Sequence, residues 1–163
     1  MRLALAVLAV SVVLPAQPRS RKAHEHGSAK VNIAFEAARG VLEFEAPAQS
    51  VVGFEYAAKS AADRLKVATA LQTLRARMGE MVIFPAGCTV TAKRATVEGG
   101  GEHSEVAAAF DVQCAKPLGG SEIRFGFAKV FPGIRAVDVA LLADERQMSM
   151  AVENDKGVLK ITK

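Results

Sequence analysis

The chain has 163 residues, half of them hydrophobic, and a formal net charge of +4 at pH 7. Its basic and acidic residues are interspersed over most of its length, and it contains one tyrosine and no tryptophan. Proteins that read nucleic acid carry clustered basic stripes, often with stacking aromatic residues, so this composition argues against a nucleic-acid partner. The size suits one domain with a hydrophobic core.

The N-terminus has the organisation of a secretory signal peptide. Arg2 precedes a mainly apolar segment over residues 3–14, which is too short to act as a permanent membrane anchor. The small residue Ala16 marks the expected cleavage point, and a second candidate follows Ala23. We therefore expect an exported protein without a stable membrane anchor, in which a mobile linker follows over residues 17–23.

The remaining residues, 24–163, are predicted to form a single α+β domain of metal-binding type. Alternating hydrophobic residues predict about eight short strands, and the short connections favour a mainly antiparallel sheet. One substantial helix is predicted over about residues 61–78, where apolar side chains recur at helical spacing. Ser60 and Asp63 form its expected capping box, and Gly79 is its expected end. The first two strands are expected to turn at residues 39–40.

Cys88 and Cys114 are the two cysteines of the chain. An isolated pair in an exported protein is most often a disulfide, and each cysteine shares a strand face with apolar residues. A thiol metal site or redox pair is the alternative, but it needs closer spacing or more ligands. We therefore predict one structural disulfide between neighbouring strands.

Two of the three histidines, His24 and His26, precede the first predicted strand. Residues two apart in an extended segment project to the same side, so both imidazoles can face one metal ion. Zn²⁺ binds imidazole and carboxylate ligands, usually four in all. The further ligand candidates are one histidine and four carboxylates: His103, Glu25, Glu55, Glu102 and Glu105. Histidine pairs also occur without a metal, so incidental histidines are the alternative.

Three short catalytic motifs are absent from the sequence. It lacks the nucleophile elbow of hydrolases, a phosphate-binding glycine loop and a zinc-protease helix motif. The three glycines at 99–101 join two predicted antiparallel strands and indicate a hairpin. Met148 and Met150 could form a soft copper site, but Val152 continues their alternation, which favours packing in the core. We expect that the protein is not an enzyme.

Several short segments occur in a recognisable order along the chain. They are His-Glu-His-Gly at 24–27, Glu-Ala-Pro-Ala at 45–48, Val-Gly-Phe-Glu at 52–55, Ala-Gly-Cys at 86–88, Cys114, and Phe-Pro-Gly at 131–133. Together they resemble the ZrgA-like family of bacterial zinc-regulated periplasmic proteins. The resemblance implies a periplasmic zinc-binding protein linked to zinc uptake, with His24 and His26 as the leading ligands.

Two departures from the family pattern indicate a low metal capacity. Family members often carry histidine after Gly-Phe-Glu, where this chain has Tyr56. Many also carry a long histidine-rich insertion between the two central strands. Here the same place holds only residues 98–105, in which His103 is the single imidazole.

Two functional hypotheses follow. The first is a non-catalytic periplasmic accessory protein that binds a zinc ion, with Cu(II) less favoured, and works with a zinc transporter component. In it His24 and His26, with His103 or a nearby carboxylate, close the coordination shell. The second is a disulfide-stapled module with incidental histidines, which docks on a transporter or receptor through a strand edge. Cleavage after Ala23 would leave an amino group beside His24 and His26, a donor set that suits Cu²⁺.

Overall fold

β-Strands account for most of the computed structural model, which describes residues 26–100 and 103–162. These residues form two helices and nine strands. The helices are α1 (Ala48–Val52) and α2 (Ala61–Met81). The strands are β1 (Ser28–Glu36), β2 (Arg39–Pro47), β3 (Val82–Ile83), β4 (Cys88–Gly100), β5 (His103–Cys114), β6 (Glu122–Phe125), β7 (Ala136–Ala143), β8 (Arg146–Glu153) and β9 (Gly157–Lys160).

The strands are arranged in two sheets. The large sheet has six strands in the order β4-β5-β2-β1-β7-β8, and the small sheet has the order β3-β6-β9. All neighbouring strands pair antiparallel except β1 and β7, which pair parallel across a long connection. The predicted α+β class with a mainly antiparallel sheet is confirmed, with nine strands where about eight were expected.

The hydrophobic core lies on one face of the large sheet. Inward side chains alternate along its strands, and Leu42, Phe44 and Phe110 are almost completely buried. Side chains from α2 and the small sheet belong to the same hydrophobic cluster. Phe44 stacks on Phe127 at a ring separation of 5.8 Å. Burial of each such side chain stabilises the fold by roughly 1.5–3 kcal/mol. The packing of this face therefore fixes the positions of the strands relative to one another.

Helix α2 begins at the predicted capping box and continues past the predicted end. The Asp63 backbone N–H donates to Ser60 Oγ at 3.0 Å, and the Ser60 N–H donates to Asp63 Oδ2 at 3.2 Å. These contacts with Ser60 hold the pKa of the Asp63 carboxyl below its usual value. The cap is therefore complete at neutral pH and weakens as the pH falls through that lowered pKa. The helix runs through Gly79 to Met81, which is fully buried, because burial outweighs the poor helix propensity of glycine.

Replacing Gly79 by alanine is expected to raise the free energy of unfolding by about 0.5–1 kcal/mol, because alanine loses less backbone entropy in a helix. A Cβ at this position would meet no heavy atom within 4 Å. Gly53→Ala is the matched control: its Cβ would also meet nothing within 4 Å, but its φ is +86°. That backbone conformation costs an L-residue about 1–2 kcal/mol, so urea unfolding should show the opposite change. Equal effects of the two substitutions would contradict this account.

The hairpin that joins β1 to β2 turns at Ala37 and Ala38, so the expected turn at residues 39–40 was wrong. Ala37 has a φ of 53°, and its N–H donates to Asp144 Oδ1 at 3.0 Å. Gly40 instead lies within β2, where a Cβ would come within 2.6 Å of the Phe35 ring. Glycine is therefore needed there for close packing and does not mark the turn.

The predicted disulfide is confirmed. Cys88 and Cys114 stand directly opposite each other at one end of the β4–β5 ladder, with Cα atoms 3.9 Å apart. The bridge closes a separation of 26 residues. It therefore ties the start of β4 to the end of β5, at the opposite end of the ladder from His103.

The predicted signal peptide, the linker and the start of the domain lie outside the described residues, so these boundaries stay predictions. Within 26–100 and 103–162, no helix has the length and apolar character needed to cross a lipid bilayer.

Candidate metal site

Three strand ends meet at one end of the large sheet. β2 lies between β1 and β5 and runs antiparallel to both, with Lys30 opposite Glu45 and Pro47 opposite Glu105. β1 and β5 therefore begin at the end where β2 finishes. His26 lies just before β1, and His103 is the first residue of β5.

Glu55 stands between the two histidines. It lies in the loop that follows α1, which itself follows β2 directly. Its Oε1 is 3.6 Å from Nδ1 of His26, and its Oε2 is 3.1 Å from Nδ1 of His103. The Glu55 side chain is only 13% exposed, whereas the imidazoles are 64% and 70% exposed. One shielded carboxylate thus joins the N-terminal segment to the tip of the β4–β5 hairpin.

The donors in this arrangement suit zinc. Zinc bonds to imidazole nitrogen and carboxylate oxygen are about 2.0–2.2 Å long, so the donors of a tetrahedral site lie roughly 3.3–3.5 Å apart. The two nitrogen–oxygen distances, 3.6 and 3.1 Å, are close to that spacing. The carboxylate can orient the His103 imidazole through their hydrogen bond, whereas its 3.6 Å contact with His26 is too long for a hydrogen bond.

The other predicted ligands are placed as follows. His24, Glu25 and Glu102 lie outside the described residues. Glu105 is two residues beyond His103 in β5, opposite Glu98 and Pro47. In the described part of the chain, no group of three or more histidine, cysteine, aspartate or glutamate side chains forms an assembled metal site. Glu55 instead makes two separate contacts, one with His26 and one with His103.

Ser50 in α1 was missed by the sequence reasoning. Its Oγ accepts a hydrogen bond of 3.0 Å from the N–H of Gly27, the residue next to His26. Ser50 is 5% exposed and lies between Gln49 and Val51 along the chain, where no motif marks it. Only the fold reveals that this hydroxyl reaches the histidine segment.

Tyr56 is directed towards helix α2. Its ring stacks on that of Phe54 at a separation of 4.6 Å, and Phe54 is buried. After the stronger contributions of Ser60, a hydrogen bond with Tyr56 also lowers the pKa of Asp63. The Tyr56 side chain therefore interacts with Phe54 and with Asp63 in the first turn of α2.

An open groove of about 990 Å³ lies elsewhere, on the exposed face of the large sheet. Its lining includes Glu36, Arg39, Val41, Asp111 and Leu142, and it includes none of the three clustered residues. The candidate metal site is therefore the cluster of His26, Glu55 and His103, because its side chains carry nitrogen and oxygen donors that can bind a metal ion.

Comparison with known protein families establishes the family of the chain. Residues 23–161 match the family described as ZrgA family zinc uptake protein. The chain belongs to the ZrgA family. Comparison with curated proteins found no match.

Membership of the ZrgA family confirms the resemblance seen in the sequence and links the chain to zinc uptake. The matched region contains all three histidines and Glu55. Tyr56 is the departure from the ZrgA pattern noted in the sequence, and its contacts with Phe54 and Asp63 give it a structural part in this chain. The metal ligands themselves stay predictions.

Proposed function

We propose that this ZrgA family member is a periplasmic, non-catalytic protein that captures one zinc ion and serves a zinc transporter. His26, His103 and Glu55 provide the donors described here, and His24 is the expected fourth. Zinc is the cargo in this proposal. The single observation that carries it is the position of Glu55 between His26 and His103, at 3.6 and 3.1 Å.

The chemistry of the cluster supports capture without catalysis. Two neutral imidazoles and one carboxylate leave a zinc complex with a single residual positive charge. Since His26 and His103 are largely exposed, an ion can enter from solvent and can be passed to a partner. A fourth protein ligand would close the coordination shell, and a closed shell leaves no position for a reacting water.

Export is supported by the sequence features of residues 1–16 and by the disulfide. Structural disulfides persist in oxidising compartments such as the periplasm. The bond between Cys88 and Cys114 is therefore consistent with residence there. An incoming zinc ion would meet the protein in that compartment before it reaches the inner-membrane transporter.

The test combines fractionation with a metal titration. The full chain, tagged at its C-terminus, would be expressed in a bacterium with two membranes, and the periplasmic fraction would be analysed by intact mass. We expect a mature chain that starts after Ala16 and binds one zinc ion per chain with micromolar or tighter affinity by calorimetry. Retention of residues 1–16 in the cytoplasm would overturn the export proposal. Failure to bind zinc would overturn the capture proposal and favour the docking module.

A further inference from the structure

Two of the candidate ligands are connected through one short helix. Glu55 lies five residues after Ser50, and α1 ends between them at Gly53, whose N–H donates to the Gln49 carbonyl at 3.2 Å. His26 is connected to the same helix through the hydrogen bond from the Gly27 N–H to Ser50 Oγ. Helix α1 therefore stands between the histidine segment and the carboxylate loop.

Ser50 is buried and packs against the turn that contains Gly133. It is 5% exposed, and a buried hydroxyl is costly unless it is hydrogen-bonded. A Cβ at Gly133 would lie 2.2 Å from the Ser50 carbonyl oxygen, so the turn at residues 131–134 packs directly against α1. No side chain caps the N-terminus of this five-residue helix. Contacts such as this one therefore determine where Ser50 lies.

Gly27 is fixed on its other side by β7. Its carbonyl oxygen accepts hydrogen bonds from the N–H groups of Arg135 at 2.7 Å and Ala136 at 3.0 Å. With the Ser50 contact, both backbone polar groups of Gly27 are engaged. His26 is thus attached to an anchored residue, and the Ser50 hydroxyl supplies the only one of these three bonds that comes from a side chain.

We propose that Ser50 is a positioning residue for zinc capture, which holds His26 against Glu55 before the ion arrives. The inference rests on the proposed zinc site and adds a residue that does not touch the metal. A ligand that is already in place loses less conformational freedom on binding. Without the Ser50 hydroxyl, Gly27 keeps only its two bonds to Arg135 and Ala136, so zinc binding must order more of the His26 segment. We expect zinc affinity to fall by about 3- to 10-fold.

The decisive experiment is a double-mutant cycle on zinc affinity, measured by calorimetry with a competing chelator. Ser50→Ala is expected to weaken zinc binding by about 3- to 10-fold in the otherwise native protein and to have no further effect in a His26→Ala background. A purely structural weakening of the domain would lower affinity in both backgrounds. Ser121→Ala is the matched control, because Ser121 Oγ donates to the Leu118 carbonyl far along the chain from the site.

Equal zinc affinity of Ser50→Ala and the native protein would overturn the positioning role, as would an equal loss in both backgrounds. Failure of the native protein to bind zinc would instead overturn the proposed function. Should Ser50→Ala fail to fold, amide hydrogen exchange of the native protein decides the matter. The Gly27 amide is expected to be as protected as amides inside β1, and exchange at the rate of an unprotected amide would refute the role.

Discussion

Replacing His26 and His103 together by alanine is expected to reduce the zinc affinity of the mature protein by at least about 100-fold. Loss of a hydrogen-bond partner of a metal ligand already costs about 10- to 100-fold, and here two direct donors are removed. The folding free energy should change little, because both side chains are mostly exposed. Competition calorimetry at neutral pH measures the first quantity, and urea unfolding of the metal-free protein measures the second.

Glu55→Gln tests the shared carboxylate in the same assay. Because glutamine keeps the shape and loses the charge, zinc affinity is expected to fall by about 10- to 100-fold. Glu122→Gln is the matched control, since Glu122 also places one carboxylate between two nitrogen-bearing side chains, Arg124 at 3.6 Å and Lys160 at 3.7 Å. Equal zinc affinity of the two glutamine variants would show that Glu55 does not contribute to zinc binding. If the histidine double variant binds zinc as tightly as the native protein, the proposed site is wrong.

Removing the disulfide is the change with the largest expected effect on stability. Serine at both Cys88 and Cys114 releases a cross-link between residues 26 apart. In the chain-entropy model this lowers the free energy of unfolding by about 3–4 kcal/mol. For a domain of this size the melting temperature should fall by about 7–14 °C, as calorimetry of the mature protein would show.

The native protein under reducing conditions is the control for the disulfide variant, because it keeps both sulfur atoms and lacks only the bond. Its melting temperature should fall by a similar amount. Zinc affinity of the folded variant should stay within about threefold, since eleven residues of β5, at roughly 3.3 Å each, separate His103 from Cys114 of the bridge. A melting temperature within about 2 °C of the oxidised protein would contradict the cross-link account.

The proposed function gives this family member one capture position without a histidine-rich insertion. The hairpin between β4 and β5 contributes His103 alone from the described residues, and Glu55 lies near both imidazoles. Tyr56 adds no imidazole and instead packs on Phe54 in the loop that follows α1. The proposal therefore predicts one ion per chain.

Local patterns predicted individual elements well where one physical preference dominated. The capping box of Ser60 and Asp63 needs only residues three apart, so the start of α2 was predicted to the residue. The end of α2 was not, because burial of Met81 and Val82 on the core outweighs the preference of Gly79 to end a helix. The turn predicted at residues 39–40 was wrong for a similar reason. Gly40 lies within β2, where the close approach of the Phe35 ring leaves no room for a side chain.

The sequence by itself determined the fold class, the cysteine pair and the family, because alternation, spacing and motif order are properties of the chain alone. It also named Glu55 and His103 among several candidate ligands without ranking them. Only the tertiary structure decided that these two join His26, since the antiparallel order of β1, β2 and β5 brings residues 26, 55 and 103 to one end of the sheet. Ser50 lay beyond any local pattern, because its hydrogen bond to Gly27 spans 23 residues and exists only once the sheet has formed.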